Sequence, residues 1–177
     1  TGKTAIVAGT TTVTHYGAGG EVRYRSVTDI ASNKKTEEAT FSEFDARRRP
    51  GRADYLDGTA HTWTYACCGV ESETDRQGVT TSYGYDSLGR RTTVSRDGLS
   101  VISTLDPLGR ARIVTRDAGN NNTAVIRRAS YDGAGRLTAS FDLKTGTTTY
   151  AEAVDGNGQT VRTTTYTNAA TRVETRA

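Results

Sequence analysis

The sequence predicts an all-β fold in which tandem antiparallel β-hairpin repeats join into an extended or spiralling sheet, and three observations carry that prediction. A six-residue pattern recurs as Tyr85-Asp86-Ser87-Leu88-Gly89-Arg90, Leu105-Asp106-Pro107-Leu108-Gly109-Arg110 and Tyr131-Asp132-Gly133-Ala134-Gly135-Arg136. Between the copies lie short segments rich in Thr, Val and Tyr, residues that fit a pleated, half-buried surface. Apolar residues make up only 34% of the chain, Met is absent and the mean hydropathy is -0.60, a balance too lean for one deep core. The net charge of +3 is too small to hold the chain open by self-repulsion, and nine tyrosines favour pleated structure over disorder.

Each position of the pattern has a physical reason. Asp followed three residues later by Gly marks a type I turn, the Asp carboxylate bonding the backbone ahead of it. The Gly then takes the left-handed conformation that forms a bulge and closes a hairpin of matching twist. Pro107 sits at the second turn position, where its fixed φ is favoured. The residue before Asp ends one strand with its ring directed at a neighbouring hairpin, and the Arg after Gly opens the return strand within reach of the Asp carboxylate or an adjacent carbonyl. Asp86, Gly89, Arg90, Asp106, Pro107, Gly109, Arg110, Asp132, Gly135 and Arg136 are therefore assigned to repeat turns.

Weaker copies follow at Tyr16-Gly17-Ala18-Gly19-Gly20, Phe44-Asp45-Ala46-Arg47-Arg48-Arg49-Pro50, Tyr65-Ala66-Cys67-Cys68-Gly69 and Val154-Asp155-Gly156-Asn157-Gly158. Arg48 stands where Gly is wanted, so that copy is expected to be strained or to use a different loop. A second set of turns, Leu56-Asp57-Gly58-Thr59, Asp75-Arg76-Gln77-Gly78 and Arg96-Asp97-Gly98-Leu99, falls between the first, as two strands per repeat require. Strands are expected at 60–65, 79–85, 91–95, 100–105 and 112–115, and several alternate apolar with polar residues, which predicts one buried face and one wet face. Residues 118–123 read as an insertion at a hairpin tip.

A lone hairpin is marginal in water, so each repeat must draw stability from the next. The expectation is a single array of about seven repeats over residues 1–177, belonging to a larger parent chain. Thr163-Thr164-Thr165-Tyr166-Thr167 reads as a strand at an uncapped edge, which invites self-association or pairing with more of the parent.

The Y-D-x-x-G-R pattern at about twenty-residue spacing resembles the YD or RHS (rearrangement hotspot) repeat family, to which the teneurin shell is also similar. That resemblance implies a β ribbon that spirals into a hollow shell on a secreted or cell-surface protein. In bacterial members the shell encloses a C-terminal toxin domain; in others it is a rigid spacer. The implied role is non-enzymatic: a wall that encloses or presents another domain. Asp106-Pro107-Leu108-Gly109 looks like the motif of the family's self-cleaving core, but the following Arg110 continues an ordinary repeat, and it is read as a turn.

Other constellations carry little. His15 and His61 are the only histidines, and Cys67 and Cys68 lack the spacing of a zinc knuckle, so no metal, cofactor or catalytic residue is assigned. On a strand, adjacent cysteines would point to opposite faces, which argues against a disulfide between them. Gly2-Lys3-Thr4 lacks the glycine frame of a phosphate loop, and the basic run of Arg47, Arg48, Arg49 and Arg52 is flanked by Asp45 and Asp54, so nucleic acid is not an expected partner. No stretch is apolar enough to span a bilayer as a helix. Trp63, Tyr65, Tyr83 and Tyr85 could form an aromatic strip that stacks on carbohydrate; cross-strand packing is the plainer account, and a binding module for carbohydrate or a partner protein is the alternative function.

Overall fold

The structure is a computed structural model and describes residues 7–167 together with the backbone of 171–176; Gly2-Lys3-Thr4 lies outside the described residues. Runs of Thr, Val, Tyr and Arg, each closed by a tight turn, form antiparallel strands throughout, and no helix occurs among the described residues.

The chain divides into two compact units, Thr1–Tyr83 and Gly84–Ala177. The first contains β1 (Thr10–Tyr16), β2 (Val22–Asp29), β3 (Lys34–Ser42), β4 (Arg52–Tyr55), β5 (Ala60–Tyr65), β6 (Val70–Thr74) and most of β7 (Thr80–Tyr85). Each of these strands pairs antiparallel with the one before it. The second contains β8 (Arg91–Arg96), β9 (Leu99–Leu105), β10 (Ala111–Asp117), β11 (Thr123–Tyr131), β12 (Leu137–Asp142), β13 (Gly146–Val154), β14 (Thr160–Tyr166) and β15 (Thr171–Arg176), paired in the same sequential way. Among the described residues such a meander uses mostly short connections, so each strand finds its partner close in sequence.

Several ladders slip by one residue just before a repeat turn: between His15 and Tyr16, Thr64 and Tyr65, and Ser130 and Tyr131. An extra residue on one strand bends and twists the pair locally. Residues 118–122 form the tip between β10 and β11, with Asn120 and Asn121 at positive φ. The stretch Thr163–Thr167 is not an open edge: residues 163–165 pair with β13 on one side and with β15 on the other.

Burial departs from the expected pattern of one dry and one wet face. Among the described residues Ala53 is the buried apolar side chain, and no large side chain is fully enclosed. Ala53 sits on the short strand β4 between Phe41 and His61 of its two neighbours. Elsewhere the alternation yields half-burial, as in β5 and β8. Within each unit a side chain is covered by its flanking rows rather than by a second layer, so period two in the sequence does not produce a core.

Gly109 holds φ +81, with only the Arg90 side chain near the position of an added Cβ, at 3.8 Å. Gly109→Ala therefore meets a backbone penalty without a clash and should lower unfolding free energy by about 1–2 kcal/mol. Gly133→Ala, in open space and outside the positive-φ set, should leave stability within about 0.5 kcal/mol. Urea denaturation of the two variants measures the difference.

Candidate functional site

The repeat turns form the most elaborate polar constellation in the chain. At the first clear copy the Asp86 N–H donates to the Arg90 carbonyl and the Gly89 N–H to the Asp86 carbonyl, both at 3.0 Å. This is a type I turn completed by a glycine in the left-handed region. Asp86 Oδ1 accepts the N–H groups of Leu88 (3.0 Å) and Arg90 (2.9 Å), while Oδ2 receives Arg90 Nε at 2.7 Å. The remaining arm of the same guanidinium, Nη1, donates to the carbonyl of Asp106 at 2.9 Å. One arginine thus clamps its own turn and grips the next.

The arrangement recurs one repeat later. Arg110 Nε bonds Asp106 Oδ2 at 2.7 Å, and its Nη1 reaches the Gly135 carbonyl at 2.8 Å. The guanidinium also lies 3.8 Å from the ring centroid of Tyr131, the aromatic that opens the following copy. Arg136 holds Asp132 at 2.8 Å and extends Nη1 to Glu152 at 3.2 Å. In the first unit Arg49 binds Asp45 and lies 4.0 Å over Tyr65, whose hydroxyl donates to the Pro50 carbonyl at 2.9 Å. A planar fork with several fixed donors suits this double duty; an ammonium could satisfy one end only.

Two turns differ from the regular copies. Arg48 carries the expected strain, at φ +62, but does not force a different loop: the Asp45–Arg49 hydrogen bonds repeat those of Asp86–Arg90. The cost of a left-handed non-glycine residue is offset because the Asp45 carboxylate fixes the turn from both ends and the Arg48 guanidinium donates to the Gly19 carbonyl. Cys67 and Cys68 do form a disulfide, contrary to the strand-based reasoning. They lie in the turn between β5 and β6 instead of on a strand, so the alternation that would separate their side chains does not apply.

The carboxylates respond to this bonding. For Asp45, Asp86 and Asp132 the N–H of the residue four positions on is the largest influence; it holds each carboxyl below its ordinary pKa, and the arginine side chain adds to the effect. Asp106 is the most buried of the group, at 7% exposure. There burial is the largest single influence and pushes upward, yet the Arg110 N–H and guanidinium together with the Leu108 N–H outweigh it, and the pKa is still lowered.

Of the four aromatic residues of the candidate strip, Trp63 and Tyr83 share Glu73 as acceptor, while Tyr65 and Tyr85 lie elsewhere. Trp63 stacks on His61, with ring centroids 4.1 Å apart, and its indole N–H donates to Glu73 Oε2 at 3.2 Å. Glu73 also meets His61 Nε2 at 3.2 Å, while its Oε1 accepts the Tyr83 hydroxyl at 2.5 Å. Tyr65 lies beneath Arg49, and Tyr85 ends β7 beside Asp86. Glu73, the acceptor for the Trp63 and Tyr83 tips, belongs to no repeat motif and carries no signal in the sequence. Its Tyr83 hydrogen bond is the main cause of its lowered pKa, against which partial burial works. Among the described residues no group of three or more His, Cys, Asp or Glu side chains could hold a metal.

Residues 70–100, which include the Asp86–Arg90 turn, match the RHS Repeat family model. Residues 70–100 carry an RHS repeat. A comparison with curated protein sequences finds no significant match. Among solved structures, the chain is similar to one described as TcdB2-TccC3, with a TM-score of 0.60 and 15% identity over 92% of this chain and 10% of that one. It is also similar to TcdB2-TccC3-Cdc42, with a TM-score of 0.59 and 14% identity over 85% of this chain and 9% of that one. The likeness is one of fold, and the chain spans about a tenth of the length of these neighbours.

The lowered carboxyl pKa values set the pH response. A carboxylate whose pKa is lower in the folded state contributes stability that is complete above the ordinary carboxylate range and is lost as pH falls through the folded value. Stability of the chain should therefore fall below about pH 4. Asp86→Asn should be less stable at pH 7 and show a shallower acid limb. Thermal midpoints at several pH values measure both effects, and an unchanged acid limb in the variant would count against the Asp86 contribution.

Proposed function

We propose that this chain is a non-enzymatic structural segment, a stretch of wall in a larger RHS-type assembly that encloses or presents another domain. The observation that carries this reading is that the Asp–Arg clamp recurs at 45–49, 86–90, 106–110 and 132–136. Catalysis requires one constellation with unshared groups, whereas the same clamp repeated along the chain, its carboxylates engaged in their own turns, braces a sheet. The TcdB2-TccC3 likeness, which covers 10% of that chain, supports a parent chain much longer than this segment; the cargo we propose is a toxin domain, and the setting secretion or display at a cell surface. On this reading residues 1–177 act as one array of about seven repeats, and the turn residues serve architecture.

A carbohydrate-binding role would need exposed ring faces with unspent polar neighbours. Trp63 has one face against His61, and both its N–H and the Tyr83 hydroxyl are directed to Glu73, an arrangement that favours packing.

The test uses the parent protein with Arg90 and Arg110 both replaced by Ala. Limited proteolysis should cut the domain beyond the repeats slowly in the parent and markedly faster in the variant. Equal cleavage of the two, or saturable binding of the unmodified chain on a glycan array, would refute the wall.

A further inference from the structure

We propose that the Cys67–Cys68 disulfide is a thiol-exchange site that works as a redox latch on one turn of the array. Aligned with Asp86-Ser87-Leu88-Gly89-Arg90, this turn reads Ala66-Cys67-Cys68-Gly69-Val70. Its sequence therefore lacks both the carboxylate and the guanidinium that clamp the other copies, and the sulfur bridge occupies the interval between those two positions. The loop is also tighter, closed by the Ala66 N–H donating to the Gly69 carbonyl at 3.0 Å. The covalent bond takes the place of the ionic clamp.

Three features make this bond open to exchange. Both cysteines are exposed, so a small thiol can approach either sulfur. They are adjacent in sequence, the shortest loop a disulfide can close, so the bond constrains the unfolded chain least and is correspondingly easy to give up. The Arg47 guanidinium, in the preceding turn, donates to the Cys67 carbonyl at 3.5 Å and so brings a positive charge to this turn, the kind of surroundings that favour a leaving thiolate. The neighbouring turn is thereby coupled to the latch.

The chemistry is two-step exchange with a dithiol reductant. A reductant thiolate attacks Sγ of one cysteine, the S–S bond breaks, and the other cysteine leaves as a thiolate that takes up a proton. The second reductant thiol then displaces the mixed disulfide, giving two cysteine thiols and a cyclic oxidised reductant. The freed thiols, on adjacent residues, form a site for a soft trivalent arsenical.

Hydrogen exchange with mass spectrometry on the 177-residue chain, before and after dithiothreitol, tests the latch. Before reduction iodoacetamide should label neither cysteine. After reduction phenylarsine oxide should bind one equivalent, and exchange at residues 63–72 should rise by roughly five- to tenfold, with the Asp106–Arg110 turn unchanged. The variant with Cys67→Ser and Cys68→Ser should show the raised exchange without reductant and no response to it. Labelling before reduction, or exchange at 63–72 that reduction leaves unchanged, would overturn the proposal; the wild-type comparison decides even if the double variant does not fold.

Discussion

The second arm of a repeat arginine is the bond on which the structure depends. Asp–Arg pairing within one turn shapes a hairpin, but a hairpin alone is marginal in water. Arg90 reaching the Asp106 carbonyl, and Arg110 reaching the Gly135 carbonyl, ties each hairpin tip to the tip of the next repeat. A hydrogen bond from a charged donor contributes about 1.5–3 kcal/mol, which compares with the whole gain from burying a Leu side chain. With Ala53 as the buried apolar residue among those described, hydrophobic burial cannot carry the load, and contacts between neighbours must. Stability then becomes a sum over adjacent repeats, as in other quasi-linear arrays.

Variation among the copies shows which parts of the clamp are replaceable. Arg48 shows that glycine can be dispensed with when the carboxylate bonds are in place: the backbone follows the same course at φ +62. Cys67 and Cys68 show that the ionic clamp itself can be exchanged for a covalent one. The Arg49 guanidinium still stacks over Tyr65, so the contact linking these two unusual copies is kept although each turn's own chemistry has changed.

Much of this was legible in the residues. Asp, Gly and Arg at fixed offsets mark turns because each answers a local need, and the segments between them are too rich in Thr and Tyr for helices. Burial was not legible, since alternation within a strand says which side chains share a face but not whether anything covers that face. The disulfide was hidden for a related reason: placing Cys67 and Cys68 on a strand or in a turn reverses the geometric conclusion, and the offset between β5 and β6 is a matter of one residue. The Glu73 cluster depends on register across β5, β6 and β7, which brings Trp63, Glu73 and Thr81 into one row. No local pattern encodes such a row.

A sheet held together by neighbour contacts has to resist local opening, and its resistance should pass from one repeat to the next through the arginine fork. Residue-resolved hydrogen exchange on Arg110→Lys examines that link directly, because lysine keeps the charge while losing the fork. Protection should fall at the Gly109 amide in the arginine's own turn and also at the Gly135 amide in the following turn, twenty-five residues from the substitution. Loss confined to residues 106–110, with Gly135 as protected as before, would show that the turns stand independently and would contradict the account.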